Sequence, residues 1–420
     1  MMLYLRLAWR NIWRHRRRTI NIILAMSLSL GLMMWYDGLI DGFNNAIYGN
    51  AIRVLGGNIQ IHAEGYRAKV DSNPLLPIAN DAAVVQAALS HPDVISATRR
   101  IQTGGLLSNR EGAFGVSIIG IDPEAEAAPI QTGVDAGKPL SLIAQNIEEG
   151  EWLTADGGDV ILIGRGMADV MDVQVGDRIT MVGSDIHKEN RQRTMTVVGI
   201  YDIGIPTLER QSVYIPLAEA QALFGLNDQS TEVQVNIKRL GEEESVVSAL
   251  TPALPGYEVE AWNKNYPELE TAINNKNGAM TVFGIIIIAI AAIGILNLLL
   301  MAVYERTREI GLLGAMGLKP RQIGALFVLE GALIGVVGAI AGTITGLLIN
   351  GISAQVGLDY TSYASMSDYM ALINSRVYPS LGLQNLPWRA ATVIIISTLA
   401  AFIPAREASH REPAEALHYV

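Results

Sequence analysis

The sequence predicts an α-helical membrane protein with four transmembrane helices and a large α+β extracytoplasmic domain inserted between helices 1 and 2. Three observations carry this. Gly278 to Val303 is a run of 26 uncharged residues. As helix it is about 39 Å long at about 1.5 Å per residue, enough to cross a hydrocarbon core of about 30 Å with tilt to spare. Half of the 420 residues are hydrophobic, which fits spans joined to a sizeable aqueous domain. Charge is unevenly divided: residues 37–277 carry 33 acidic and 17 basic residues, a net of −16, and the remainder is net +6. An acidic outer domain argues against nucleic-acid binding, which needs a basic surface.

Residues 1–18 read MMLYLRLAWRNIWRHRRR. Arg6, Arg10, Arg14 and Arg17 share one helical face, and Trp9 and Trp13 lie together on another. This is the pattern of an interfacial helix, with basic groups at phosphates and indoles at the headgroup boundary. A secretory signal is the competing reading, but no small-residue cleavage site follows the apolar run. Thr19 to Tyr36 is uncharged and forms the first span. The six arginines before it place the N-terminus in the cytoplasm. Helix-compatible sequence continues to about Arg53, weakened by Gly38, Gly42 and Gly49, so 19–53 reads as a span with an outward extension. A helix from Thr19 to Ala51 is about 50 Å long. Asn263 to Asn277 extends the second span (263–303) in the same way.

Residues 54–262 form the outer domain. Expected strands are Asn58–His62, Val94–Ile101, Gly115–Ile121, Val160–Ile163, Arg178–Val182, Thr194–Tyr201, Ser212–Ile215, Glu232–Ile237 and Glu258–Ala261. Expected helices are Asp81–Leu89, Gly166–Met171, Leu217–Phe224 and Glu242–Leu250. Strands mixed with helices indicate α+β, in two parts: one near 54–125 plus the end, one near 150–240. Gly176-Asp177 reads as a plain turn.

After Val303 charge returns abruptly, in 304–322. Ile310, Leu313 and Met316 have helical spacing, which leaves a short amphipathic helix and an ordinary basic loop both open. The third span, 323–350, carries Gly331, Gly335, Gly338, Gly342 and Gly346, spacing that permits close helix contact. Glu330 lies within it, and an intramembrane acid invites a functional reading. Residues 351–387 form a second outer loop with Tyr360, Tyr363, Tyr369 and Tyr378, either a packed lid or a flap touching substrate. The last span is 388–405, its apolar run starting at Leu386, with Trp388 and Arg389 at its outer rim. Four spans return the 406–420 tail to the cytoplasm, in keeping with its basic residues.

There are no cysteines, and the six histidines (15, 62, 91, 187, 410, 418) are scattered with no HExxH, so no metal site is expected. GxSxG and GxxxxGK[ST] are absent. Gly133 to Pro139 is the nearest approach to a phosphate loop, but it is one residue short and ends in Pro where the hydroxyl belongs. The chain reads as non-catalytic, with any ATP chemistry on another chain.

The run NLLLMAVYERTREIGLLGAMGLKPRQI, then LFVLEG, and the C-terminal Pro404-Ala405-Arg406 with Glu412 to Leu417 resemble the permeases of the MacB/Lol/FtsX superfamily, the mechanotransmission (type VII) ABC transporters. VGDRITM, TVVGIY and SVYIPLAEAQALFG resemble that family's periplasmic core. WRNIWRHRRR and GGNIQIH look more like the lipoprotein-releasing LolC/LolE-like branch than the macrolide exporters.

The resemblance covers essentially the whole chain. It implies a multi-pass permease of the bacterial inner membrane with both termini cytoplasmic. Residues 304–322 would be the coupling helix, docking on a separate ATPase through Glu305, Arg306, Glu309, Ile310, Leu313 and Met316. ATP and Mg would be bound by that ATPase dimer, with no cofactor on this chain. Other implied partners are a second permease copy or a homologous permease, membrane lipids, and a lipoprotein or periplasmic adaptor. Lipoprotein release from the outer leaflet would make Met33, Met34, Trp35, Phe283 and Ile287 candidate acyl contacts, being large, apolar and partly flexible. Glu330 matches the family's LFxxEG, as a structural partner of the coupling segment or a proton relay. One departure stands out. In the lipoprotein-releasing branch one permease carries a chaperone-recruiting hook at the position of Gly183–Arg193, which here is shorter and polar, without proline or aromatic. The resemblance leaves two alternatives: MacB-like efflux of peptides or drugs from the periplasm, and FtsX-like regulation of a cell-wall hydrolase. The second usually goes with a much smaller outer domain.

Overall fold

The computed structural model describes residues 2–14, 16–72, 74–131, 136–304, 312, 315–360 and 376–409. It forms two compact units, one of residues 1–43, 272–358 and 377–420, the other of residues 44–271 and 359–376.

Two helices open the chain, α1 (Met2–Arg14) and α2 (Arg16–Leu55). No proline interrupts the polar stretch after the apolar run, so α2 continues beyond Ala51. It stops at Gly56, whose φ of 95° is the left-handed conformation that ends helices.

In the second unit the regular elements, in chain order, begin with β1 (Ile59–Ala63), α3 (Asp81–Leu89), β2 (Val94–Ser108), β3 (Ala113–Ile121) and β4 (Ile147–Gly150). Then come β5 (Val160–Gly164), α4 (Arg165–Met171), β6 (Arg178–Ser184), β7 (Asn190–Tyr201) and α5 (Pro206–Gln211). The last are β8 (Ser212–Pro216), α6 (Leu217–Phe224), β9 (Glu232–Ile237), α7 (Glu243–Leu250) and β10 (Tyr257–Ala261). α3, α6 and β9 have the bounds expected from the sequence. β4, α5 and single-turn helices at Pro123–Ala127, Leu142–Gln145 and Trp262–Asn265 were not expected, being too short to show a period.

Six strands close into a barrel in the order β2-β3-β8-β5-β7-β6 and back to β2. The β3–β8 and β5–β7 pairs are parallel and the other four antiparallel. Ile118, Ile163, Met181, Met195 and Val213 fill its apolar core. Gly105 lies where β2 is paired on both sides, opposite Val116 and Gly183. A Cβ there would fall 2.3 Å from Ile118 Cδ1 and 2.6 Å from the Val182 carbonyl oxygen, so the seam closes only on glycine. That seam explains why β2 runs on to Ser108 rather than ending at Ile101.

The other half of β2 belongs to an antiparallel sheet ordered β10-β1-β9-β2. Ile59, Ile61, Val233 and Val235 pack there with Val84 of α3 and Val246 of α7. The two-part division expected from the sequence is therefore corrected at one point. β9 joins the first part, because its register partners are β1 and residues 94–100 of β2.

The polar stretch Gly183–Arg193 is mostly strand, and only residues 185–189 are left as a turn. Asp185 organises it: Oδ1 accepts from the N–H groups of His187 (2.8 Å) and Glu189 (2.9 Å), and Oδ2 accepts from Arg191 Nε (2.9 Å). No hairpin hook protrudes here.

The remaining long helices among the described residues are α8 (Pro267–Tyr304), α9 (Pro320–Val356) and α10 (Leu386–Ser409). Among the described residues, three helical segments are long and apolar enough to cross a membrane, Thr19–Leu55, Leu269–Gly294 and Pro320–Val356, and Leu386–Phe402 is a shorter apolar helix. Pro320 starts α9 at the first helical position, where its missing N–H is harmless, and Gln322 Oε1 accepts from Lys319 N–H at 2.9 Å. The glycines of α9 sort into two groups along the helix. Cβ atoms on Gly331 and Gly335 would strike Ala401 and Ser397 of α10, at 2.4 and 2.1 Å. On Gly338, Gly342 and Gly346 they would strike Met26, Leu30 and Met34 of α2, at 2.8, 2.7 and 2.6 Å. With lipid as solvent such close backbone approach, not water exclusion, holds helices together.

Candidate functional site

The domain's two connections to the long helices lie side by side. β1 and β10 are antiparallel with Ile59 opposite Ala261, so the chain enters at Gly56–Asn58 beside its exit at Trp262. Trp262 N–H donates to the Asn58 carbonyl at 2.9 Å, and Tyr48 of α2 meets the Trp262 ring edge-on, centroids 5.8 Å apart.

The last turn of any helix leaves carbonyls without helical partners. Here Leu55 O accepts from Arg100 Nη1 at 3.1 Å and from Gln234 Nε2 at 2.8 Å. A cation there also meets the negative end of the helix dipole. Gly56 must lack a side chain, since a Cβ would come within 2.1 Å of the Arg100 guanidinium. Arg53, two residues earlier, donates to the Pro139 carbonyl (2.9 Å) and to Gln145 Oε1 (2.5 Å).

Arg100 lies on β2 where sheet hands over to barrel, opposite Glu232 on one side and Ile121 on the other. It is buried, and Glu126 Oε1 accepts from its Nε and Nη2, each at 2.7 Å. Burial opposes the guanidinium charge, but Glu126, with Tyr214 and Glu232, outweighs it and raises the pKa above the ordinary arginine value. Glu126 is presented by the Pro123–Ala127 turn, with Pro at its start and Asp122 as cap, accepting from the N–H groups of Glu124 and Ala125, each at 3.1 Å. The end of α2 is thus tied by charged hydrogen bonds to the one strand that both halves of the domain share.

Beside this knot, Glu232 accepts from Gln234 Nε2 at 2.7 Å, and burial pushes its carboxyl pKa up. His62 faces Glu232 at 3.9 Å and stacks on Tyr66, centroids 3.7 Å apart. Burial, then the nearby Arg67 charge, holds the His62 pKa down from 6.5 to about 3. Because the native value is the lower one, the unfolded chain takes up the proton first. Stability from His62 is whole above pH 6.5 and falls as the pH drops toward 3. Acidification from pH 7 to 5 should cost about 2 kcal/mol through this group. Glu232, with its raised pKa, works in the opposite direction in both chains, so the comparison is between wild type and His62→Gln. The variant should lose that part of the slope in denaturant unfolding, and equal slopes would mean that His62 is protonated in the native state.

In the membrane unit a polar knot surrounds residues 37–41 of α2. Arg389 of α10 donates from Nε to Asp37 Oδ2 (2.8 Å) and from Nη2 to Asp37 Oδ1 (2.7 Å), a bidentate pair with Asp37 buried. Asp41 Oδ2 accepts from Ser380 Oγ at 2.8 Å, and the Gly38 carbonyl accepts from Ser380 N–H at 2.8 Å. Gly38 and Gly42 let residues 378–382 lie directly on α2, since Cβ atoms would fall 2.3 and 2.7 Å from the carbonyl oxygens of Ser380 and Tyr378. Residues 361–375 of the same loop lie outside the described residues.

Glu305, Arg306, Glu309, Ile310 and Leu313 also lie outside the described residues. Met316 is exposed. Glu330 is buried on α9, beside the Gly331 contact with α10. Of the acyl-contact candidates, Met33 and Met34 are buried, Met34 against Gly346, while Trp35 and Ile287 are half-buried and Phe283 is 59% exposed. Phe283 shares α8 with exposed Val282, Ile286, Ile290 and Ile293. Tyr36 ties α2 to α8 by donating to the Met280 carbonyl at 2.5 Å. Sequence reasoning missed Arg100, Glu126 and the Asp37–Arg389 pair. Only Asp122-Pro123, a helix-start signal just before Glu126, was there to be read.

Two family models match the chain, the MacB-like periplasmic core domain over residues 19–253 and the FtsX-like permease C-terminal region over residues 281–413. The chain belongs to the MacB/FtsX-like permease family. It is an ABC transporter permease, integral to the membrane, with a MacB-like periplasmic domain. Among its relatives, the lipoprotein-releasing system transmembrane protein LolC of Neisseria meningitidis is 24% identical over 96% of this chain and 94% of that protein. LolE of Haemophilus influenzae is 21% identical over 94% of this chain and 92% of its own length. The pyoverdine export ATP-binding/permease protein PvdT of Pseudomonas fluorescens is 25% identical over 98% of this chain but only 58% of that protein.

Proposed function

We propose that the chain is the permease subunit of an ABC transporter that converts ATP hydrolysis on a separate subunit into movement of its periplasmic domain, releasing a lipoprotein or another lipidic substrate from the outer leaflet of the inner membrane. The end-to-end similarity to LolC carries this reading. In it the chain crosses the membrane four times, with both termini cytoplasmic. Residues 304–322 couple to the ATPase dimer, which binds ATP and Mg, and α2 and α8 carry the movement outward. A second permease copy or a homologous permease completes the assembly. The grip of Arg100 and Gln234 on the end of α2 supports transmission, because it gives a displaced helix a charged handle on β2. Phe283, Ile287 and Trp35 are the accessible acyl-contact candidates. Contact at Met34 requires α2 to part from α9.

Export in the manner of PvdT, with a periplasmic adaptor, is the second reading. It is favoured by the five-residue turn 185–189, which offers no hook for a chaperone.

Replacing Ile310 and Leu313 together by Asp should lower ATPase co-purification at least about tenfold, a cost of about 1.4 kcal/mol or more. Undiminished recovery would mean that 304–322 is not the coupling segment. Mass spectrometry of the wild-type complex separates the substrate readings: acylated lipoproteins support release, and an adaptor supports export.

A further inference from the structure

Past its apolar run α2 repeats itself. Residues 37–42 read Asp-Gly-Leu-Ile-Asp-Gly, so Asp41 and Gly42 stand about one helical turn beyond Asp37 and Gly38. Arg389 is paired with Asp37, and Asp41 takes the Ser380 hydroxyl. The loop laid on α2 keeps the same step: Tyr378 lies over Gly42, Ser380 over Gly38 and Gly382 over the Met34 carbonyl. Two extended residues at about 3.3 Å each match four helical residues at about 1.5 Å each, so a one-turn move of α2 leaves helix and loop in step.

α9 is in step as well. Met26, Leu30 and Met34 rest on Gly338, Gly342 and Gly346, and Gly38 comes against Asn350. Both series rise by four and in the same direction, so the helices run parallel with a constant offset. Buried Asn350 donates from Nδ2 to the Met34 carbonyl at 3.0 Å. A glycine floor has no side chains to lock one register, and methionine adapts its shape to what it meets.

Moving α2 four residues toward its own N-terminus takes about 6 Å of travel and about 40° of turn. Leu30, Met34 and Gly38 then come onto the same three glycines. Three polar contacts find counterparts one turn on. Arg389 meets Asp41, the Ser380 N–H meets the Gly42 carbonyl instead of Gly38, and Asn350 meets the Gly38 carbonyl instead of Met34. The opposite step fails. Met33 and Met34 would arrive where Asp37 and Gly38 stand, so Arg389 would face no acid and the Met34 Cβ would strike the Ser380 carbonyl.

We propose that α2 has two docking registers one turn apart on α9, α10 and residues 378–382, with Arg389 holding Asp37 in one and Asp41 in the other. One-turn ratchets of one packed element past another are a known form of switching. The inference deepens the permease reading and rests on it for what drives the step: a helix that carries movement gains two defined stops. The step has costs. It gives up the 2.7 Å hydrogen bond between the Ser27 and Thr345 hydroxyls, since Gly31 follows Ser27 in the row. It brings Trp35 to the place of Gly31, where a Cβ stands 3.0 Å from Thr345 Cγ2. It also carries Asp37 to the place of buried Met33, on the apolar side of Arg389. The second register is therefore the less populated one and is reached under load.

The chain has no cysteine, so reporter pairs can be placed in the full chain in liposomes and oxidised. Ser27→Cys with Thr345→Cys reports the register described above. Ser27→Cys with Ala341→Cys reports the shifted one, and Ser27→Cys with Ile349→Cys a step the other way. Asp37→Asn should raise the 27–341 yield at least about fivefold without nucleotide and leave the 27–349 yield unchanged, because Asp41 is then the acid left for Arg389. Asp41→Asn should do the reverse, lowering the 27–341 yield and keeping the 27–345 yield. The 27–345 pair also shows that each variant is folded. Equal responses to the two substitutions overturn the inference, as does a rise of 27–341 and 27–349 together, which is general loosening. A 27–341 yield that stays at background in Asp37→Asn while 27–345 forms overturns it too. None of these readouts needs the ATPase, so failed ATPase co-purification would sink the permease reading and leave the two registers standing.

Discussion

Arg100→Met should destabilise the chain by about 3–5 kcal/mol, the usual cost of removing one partner from a buried ion pair. Two losses add. Glu126, with no exposed surface, keeps a carboxylate with no counter-ion, and its Oε2 already has no hydrogen-bond partner. The Leu55 carbonyl loses its charged donor and keeps only Gln234. The two can be told apart. Arg100→Met with Glu126→Leu removes both charges and should recover most of the loss, since apolar replacement of a whole buried pair is often near neutral. A residue of about 1 kcal/mol should remain for the missing bond to Leu55. Arg100→Lys keeps the charge but not the fork that reaches Glu126 and Leu55 together, so it should fall between the two. Unfolding of the purified chain gives the stabilities. A double variant as unstable as the single one would mean that the charge pair is not what matters. If the double variant folds but releases less substrate per ATP, the grip on α2 transmits movement as well as stabilising the fold.

The strands and helices of the domain were largely readable from sequence because each is a local pattern. Alternation in Glu232–Ile237 and a 3.6-residue period in Leu217–Phe224 are properties of a few neighbours. Barrel closure is not local. It depends on Gly105 meeting Gly183 and Val116 at once, and a glycine pair in a strand reads more readily as a strand end than as a seam. Assignment of β9 failed for the same reason, since its partners lie about 130 to 175 residues away in the chain. The Gly331–Gly346 ladder was legible as a means of close packing. Its change of partner from α10 to α2 was not legible: at about 100° per residue the five glycines stay on one face, within about 80° of each other, so which helix lies over each end of the stripe decides the partner. Arg100 was invisible for a plainer reason. A lone arginine in a strand signals nothing until a helix end and a buried glutamate are brought to it.

Loss of the Asp37 carboxylate in Asp37→Ala should cost about 2–3 kcal/mol, somewhat less than a fully buried pair because Arg389 retains 17% side-chain exposure. The argument rests on position. Asp37 is the first charge after the apolar run of α2, and Arg389 follows Trp388 near the start of α10. On one side of the pair lies apolar helix, where an unpaired guanidinium is costly. The bidentate geometry adds direction to the attraction, so Arg389→Lys should lose much of it although the charge stays. Arg389→Met strands Asp37 instead and should be at least as damaging, because that carboxylate is the more buried partner. A double-mutant cycle over Asp37→Ala and Arg389→Met should return a coupling of about 1–3 kcal/mol, and a value near zero would make the pair incidental. The knot has a second reporter. Ser380 bonds both Asp41 and the Gly38 carbonyl, one turn of α2 around Asp37, so a shift of α2 there should loosen residues 378–382. A single cysteine at Leu381, already partly exposed, in this otherwise cysteine-free chain should then react faster with maleimide in Asp37→Ala than in wild type. Unchanged labelling with lowered stability would confine the pair to joining α2 and α10. Faster labelling would mean that it also sets how tightly the outer loop is held on the helix proposed to carry the movement.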